Sequence, residues 1–262
     1  MAVLNVTPDS FAERAPSADP RLAVERALAL EAAGADLIDI GAESTRPGAE
    51  PVGAEEEWAR LAPVLERLAG RLRIPMSVDT YKPVTARQAL EAGADLINDV
   101  SGLRDPELAR VAARGRAPLV LTHARGLPKT MYADAEYRDA AAEVVGELRG
   151  MIGAAESAGL PAARVMVDPG IGFAKRAADS YGVLAGVAAI AEALDRPVLV
   201  GPSRKSFMRE AVGDRPPNER DWGTAAAVTA AVLAGVHMVR VHAVDEMRQV
   251  VRVAEEIRRA SR

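Results

Sequence analysis

Cysteine is absent from the 262 residues. That excludes disulfides, zinc thiolate sites, iron–sulfur clusters and a cysteine nucleophile, and it suits a reduced compartment such as the cytoplasm. An excess of positive charge is also missing: 33 lysines and arginines face 37 acids, for a net charge of −4. General nucleic-acid binders are usually basic, so no nucleic-acid partner is expected, although a local basic pocket for a small anion remains compatible. No apolar run approaches the roughly 18 residues of a membrane span, so no membrane partner is expected. The N-terminus has no basic segment followed by an apolar stretch, so no signal peptide is visible.

What the chain does have is enough apolar material, 49% of its residues, for one large core. Eight short apolar runs recur: Ala2–Val6, Leu37–Ile40, Met76–Val78, Leu96–Val100, Pro118–Thr122, Val165–Val167, Val198–Val200 and Met238–Val241. Their hydrophobicity is nearly continuous, as expected of strands buried on both faces. Helical spacing fills the intervals. Trp58, Leu61, Ala62, Leu65, Leu68 and Ala69 follow the i, i+3, i+4, i+7 rule, as do Met247, Val250, Val251, Ala254 and Ile257.

The stretches "AAGADLIDI" (32–40), "EAGADLINDV" (91–100) and "LAGVHMVRV" (233–241) share one grammar: a helix end, a glycine suited to a left-handed cap, then a strand. Eight strand–helix units in 262 residues predict an α/β fold, a (β/α)8 TIM barrel forming a single domain over 1–262. The alternative, an open doubly wound sheet, ordinarily carries a Gly-rich turn after its first strand, where this chain has Asn5-Val6-Thr7-Pro8-Asp9-Ser10.

Barrel chemistry sits at the C-terminal ends of the strands. Those ends carry Asn5; Asp39 and "ESTRPG"; Asp79; Asn98 and Asp99; His123; Asp168; Ser203, Arg204 and Lys205; and Arg240 and His242. A single Asp after a strand is most often a helix N-cap, which is the expectation for Asp99 and Asp105. His237 reads as structural, and Arg87 and Arg110 as a solvated face. The convergence of Asn5, Asp79, Asn98, Asp168, Lys205, Arg240 and His242 goes beyond capping. Asp79, Asn98 and Asp168, with Lys205 as partner, suit a flat heterocycle with N–H donors, such as a pterin or guanine, because a carboxylate takes two parallel N–H bonds. Asn5, Arg240, His242 and Ser203 suit an anion, with Asn5 offering an oxygen to a hard Mg²⁺. No nucleophile–base dyad stands out, and His123 has no Ser or Asp partner that sequence places beside it. Chemistry here would rest on positioning and leaving-group stabilisation.

The stretches "LNVTPDSF", "DIGAESTRPGAEPV", "VDTYK", "INDVSG", "DPGIGF", "GPSRKSF" and "RVH" run in order from residue 4 to residue 242 and resemble dihydropteroate synthase, the folate-pathway enzyme family targeted by sulfonamides. The resemblance implies a TIM barrel that joins (7,8-dihydropterin-6-yl)methyl diphosphate to 4-aminobenzoate with Mg²⁺ as cofactor, and a homodimer paired through C-terminal helices. Asp79, Asn98, Asp168 and Lys205 match residues that hold the pterin. Arg240 matches an arginine that packs on the pterin and helps hold the anion. Asn5 and His242 match the diphosphate and Mg²⁺ side. Thr45, Arg46 and Pro47 match a loop that closes with the first loop, which contains Asp9. Phe173, Lys205 and Ser206 match the wall of the aminobenzoate pocket.

Departures from the family pattern are "DSFAERAP" in the first loop, Ala174 in "GFAK", Thr122 and Ala124 in "THARG", and Ala243 in "RVHAV". The family usually has more residues before the first strand, so that strand is expected to be weakly anchored. Two rivals share the barrel: a pterin-binding methyltransferase domain acting on methyltetrahydrofolate, which would have no need of "TPDSF", "SRKSF" and "RVH", and a non-catalytic pterin-binding homologue.

Overall fold

The structure, a computed structural model, describes residues 1–7, 19–46, 48–126, 129–133 and 135–261. Asp9 and Pro47 lie outside the described residues. The strands are β1 (Ala2–Asn5), β2 (Ile38–Gly41), β3 (Met76–Asp79), β4 (Leu96–Asp99), β5 (Leu119–Thr122), β6 (Val165–Asp168), β7 (Leu199–Val200) and β8 (Met238–Val239). The helices are α1 (Pro20–Ala32), α2 (Ala54–Leu68), α3 (Pro83–Glu91), α4 (Glu107–Arg114), α5 (Ala140–Ser157), α6 (Ala177–Ala185), α7 (Val187–Leu194), α8 (Arg209–Val212), α9 (Asp221–Leu233) and α10 (Val244–Ala260). Each of the eight expected runs contains or overlaps one strand. Among the described residues no single helix is long and apolar enough to cross a membrane.

All strand pairs are parallel. Strands β1 to β6 pair in sequence order, and β7 pairs with β8. Two further bridges, Val167 to Val198 and Ala2 to Val241, join these sheets into a ring. At the second seam Val3 N–H donates to Val241 O at 3.0 Å, and Val241 N–H donates to Met1 O at 3.0 Å. The expected weakness of the first strand is therefore corrected: β1 has a partner on each side, and Ala2 and Leu4 are buried.

The strands alternate more than their sequence suggests. Ala2, Leu4, Ile38, Ile40, Val78, Ile97, Leu119, Leu121, Val165 and Val167 join the layer under the helices. Met1, Leu37, Leu96, Val120 and Leu199 form a separate apolar plug. Full burial of such side chains is worth about 1.5–3 kcal/mol each. At the other end the register aligns Asn5, Gly41, Asp79 and Asn98 across β1 to β4. Paired residues of neighbouring strands share a face, so these polar groups share the interior face with Val120, the register partner of Asn98.

Five helices end in the same way. After α1, α3, α4, α5 and α9, the N–H two residues past the cap donates to a carbonyl five residues back: Ala35 to Leu30, Ala94 to Ala89, Ala117 to Ala112, Leu160 to Ala155 and Val236 to Ala231. The motif needs one left-handed residue. Gly34, Gly93, Gly159 and Gly235 supply it with φ from 92° to 99°. After α4 the glycine comes one position early, and Arg116 takes the left-handed place with φ 55°.

Candidate active site

Asp39, one of the deepest polar groups at the top of the barrel, has 0% exposure. Its Oδ2 accepts from Asn98 Nδ2 at 3.0 Å and from Arg240 Nε at 2.6 Å. Arg240 Nη2 also donates to Asp79 Oδ2 at 3.0 Å. Arg240, which enters from the end of β8, thus ties β2 and β3 together. This guanidinium, expected partly on the anion, is here committed to the two carboxylates. Gly41 makes the crowding possible, since a Cβ there would stand 3.3 Å from Asp79 Cβ.

Burial pushes the Asp79 carboxyl up to about 8, against the opposing pull of Arg240. Burial also raises Asp168, opposed by Lys205. Asp168 Oδ1 accepts from Gly170 N–H at 2.7 Å. Its Oδ2 faces Gly201, where a Cβ would stand 3.8 Å from that oxygen and 3.6 Å from Arg240 Cβ. Gly201 thus borders both the Asp168 carboxylate and the aliphatic stem of Arg240. Asn98 Oδ1 is buried and accepts no hydrogen bond from the described residues. An amide oxygen left so costs about 1–3 kcal/mol, which a ligand donor removes.

Lys205 donates from Nζ to Ile171 O and lies 4.3 Å from the centroid of the Phe173 ring. Burial lowers its pKa to about 8, with Asp168 opposing. Ser206 is exposed at the start of a short 3₁₀ turn. Thr45 is half-buried and Arg46 is exposed on the loop after β2. That loop stands on Glu43, which accepts from Val52 N–H at 3.2 Å, from Tyr81 Oη at 2.7 Å and from Lys82 Nζ.

On the anion side, Ser203 Oγ accepts from His242 N–H at 3.2 Å and lies 2.9 Å from His242 Nδ1. Burial, then Arg240 and Arg204, lower His242 to about 3, with a smaller push from Arg46. His242 is thus a neutral imidazole at pH 7 and not the charge-assisted donor that its anion role suggested. Arg204 faces away, its Nε and Nη2 donating to Asp221 at 2.8 and 2.7 Å. Asn5 is half-buried at the end of β1.

The structure therefore gathers Asp79, Asn98, Asp168, Lys205, Arg240, Ser203 and His242 around one end of the barrel. Three sequence expectations change. Asp99 does not cap α4; it staples the loop before it, accepting from Ser101 N–H at 2.8 Å and Leu103 N–H at 2.6 Å. His123 does have partners, Glu147 at 2.9 Å and Lys175 at 2.7 Å. Asp39, passed over as one strand-end group among many, joins the set; its signal was an acid inside an apolar run. Two other expectations agree with the structure: Asp105 Oδ1 accepts from Glu107 N–H at 2.9 Å in the first turn of α4, and His237 Nδ1 accepts from Val198 N–H at 3.2 Å.

Buried acceptors beside a cationic wall and a neutral N–H donor make a site for a flat, donor-edged ring that carries an anion. The chain belongs to the pterin binding enzyme family, whose model matches residues 1–242. Within that family its kinship is with the dihydropteroate synthases, which are transferases. The dihydropteroate synthase of Synechocystis sp. is 42% identical over 98% of this chain and 89% of its own length. A Yersinia pestis dihydropteroate synthase solved with a sulfonamide drug superposes with a TM-score of 0.93 at 37% identity, covering 99% of this chain and 94% of that one. The Xanthomonas albilineans dihydropteroate synthase solved with 4-aminobenzoic acid gives 0.91 at 42% identity, covering 98% and 92%. Of two longer curated relatives the chain spans only 36% and 31%.

Proposed function

We propose that this site condenses (7,8-dihydropterin-6-yl)methyl diphosphate with 4-aminobenzoate to give 7,8-dihydropteroate and diphosphate. The observation that carries it is the unpartnered, buried Asn98 Oδ1 beside its register partner Asp79, with the Asp168 carboxylate at the end of β6. These acceptors match the donor edge of a pterin. The aryl amine is already neutral at pH 7, so its lone pair needs no strong base. Its nitrogen bonds to the methylene carbon, the C–O bond to diphosphate breaks, and the amine proton leaves to solvent or diphosphate. Asp79 and Asp168 favour positive charge developing on the methylene carbon. His242 donates a neutral N–H to the departing diphosphate. Phe173, Lys205 and Ser206 form the aminobenzoate wall, and Thr45 and Arg46 belong to the loop that closes over the site.

The donors fit Mg²⁺ carried in with the diphosphate. Among the described residues no cluster of three His, Asp or Glu side chains can hold a metal. Mg²⁺ commonly keeps its waters and takes one or two protein oxygens, a role for Asn5. When bound, the ion neutralises diphosphate charge. The same reading assigns the chain to a single domain, the cytoplasm and a homodimer. Exposed Leu233, Val253 and Ile257 on α9 and α10 support the dimer, which light scattering tests. The condensation itself is tested by diphosphate release with both substrates and Mg²⁺. Release is expected. Its absence, with pterin still bound, would leave a binding protein.

A further inference from the structure

Lys175 is 1% exposed, one of the largest fully buried side chains, and the condensation as written does not use it. Its Nζ contacts three groups: Gly170 O at 3.1 Å, Phe173 O at 3.1 Å and His123 Nδ1 at 2.7 Å. The imidazole's other nitrogen, Nε2, lies 2.9 Å from Glu147 Oε2. Proton positions follow from this chain of contacts. The Glu147 carboxylate needs a donor, so His123 carries its proton on Nε2. Nδ1 then offers a lone pair, and Nζ faces three acceptors, as an ammonium requires. Burial pulls Lys175 down to about 7, opposed first by Asp168 and then by Glu147.

The two carbonyls are the first and last of one tight turn, closed by Phe173 N–H donating to Gly170 O at 3.0 Å. Glycine makes the turn possible, and the strain falls just after it. Gly170 and Gly172 have φ of 70° and 77°, and Ala174, immediately after it, has φ 48°. A Cβ on Gly170 would lie 1.9 Å from His123 O, so the turn is pressed against the end of β5. On its open side Lys205 holds Ile171 O and lies beside the Phe173 ring.

We propose that Lys175 is a positioning residue for the aminobenzoate half of the site: its ammonium, held in place by His123 and Glu147, clamps both ends of the Gly170–Phe173 turn and so sets the Phe173 ring against Lys205. This rests on the condensation reading above. Asp168 lies within β6 and keeps its place through strand pairing, with the Gly170 N–H as its tie to the turn, so the pterin half depends less on the clamp than Phe173 does.

The test is steady-state kinetics on Lys175→Met, close in length but without charge or donors. The KM for 4-aminobenzoate should rise about tenfold, while kcat and the KM for the dihydropterin diphosphate stay within about twofold. An unchanged aminobenzoate KM overturns the proposal, and so does a parallel change in all three constants, which would mark a merely structural role. Wild-type protein that releases no diphosphate would refute the condensation instead. Should Lys175→Met fail to fold, Glu147→Gln, which removes the charge at the outer end of the chain, should show the same selective rise, by about threefold. An unchanged KM there overturns the proposal.

Discussion

Ser203 and His242 share a single hydroxyl hydrogen. Ser203 Oγ accepts the His242 backbone N–H and lies 2.9 Å from Nδ1, and a hydroxyl hydrogen donated to Nδ1 places the imidazole proton on Nε2, the tautomer an N–H donor to the anion requires. Ser203 thereby supports the anion site through its neighbour. Ser203→Ala should lower kcat roughly three- to tenfold and leave pterin affinity intact, since a donor meant for the leaving group becomes a mixture of tautomers. Unchanged turnover would dismiss the role. Asp79 makes a pH prediction. With its pKa pushed up to about 8, it is largely protonated in the free protein at pH 7. A pterin edge that donates N–H groups favours the carboxylate. Binding should therefore release a proton near pH 7, and affinity should strengthen as pH rises toward 8 and level off above it. Calorimetry in two buffers of different ionisation enthalpy measures this; zero proton release would refute it. Much of this residue-level picture was legible, because Asp79, Asp168, Lys205 and His242 follow an apolar run and Asn98 and Arg240 interrupt the end of one. Two parts were not. Glu147 lies on α5, where it reads as one more exposed helix charge, and nothing in the spacing marks it as the partner of His123. Asp39 was named at its strand end but left out of the convergent set, because it sits one residue inside an apolar run and not after it.

Five helices end at a left-handed residue, and the one after α4, which is not glycine, is a designable defect. Arg116 is exposed, forms no ion pair among the described residues and carries φ 55° where four sister helices place glycine. A left-handed non-glycine residue costs about 1–2 kcal/mol, and glycine returns about 0.4–1 kcal/mol of that through unfolded-chain entropy. Arg116→Gly should therefore stabilise the fold by roughly 0.5–1 kcal/mol, seen as a higher midpoint in urea at unchanged slope. A lower midpoint would show that Arg116 is held by contacts of its own. The shared grammar was visible in three stretches because Ala-Gly precedes each strand. The other two instances escaped notice: "AGLPAARVMV" puts a short 3₁₀ turn before β6, and after α4 the glycine is one place early.

The whole molecule closes where β8 meets β1, and Arg240 and His242 stand on the far side of that seam. Removing residues 1–4 should cost both melting temperature and turnover, because the β8 side of the ring would keep only β7 and the guanidinium that ties Asp39 to Asp79 would lose its footing. A truncated protein with wild-type turnover would contradict this. The barrel was legible from eight runs in alternation with helical spacing. Its closure was not, since β7 and β8 are two residues long and the seam depends on single bridges. That seam also sets a schedule. During synthesis β1 emerges first and keeps an unpaired edge until more than two hundred residues later, when β8 arrives. The reactive pocket is therefore finished last. A ribosome-bound chain stalled before Arg240 would hold most of the pterin floor, yet it would lack both the guanidinium that ties Asp39 to Asp79 and the imidazole that donates to the departing diphosphate.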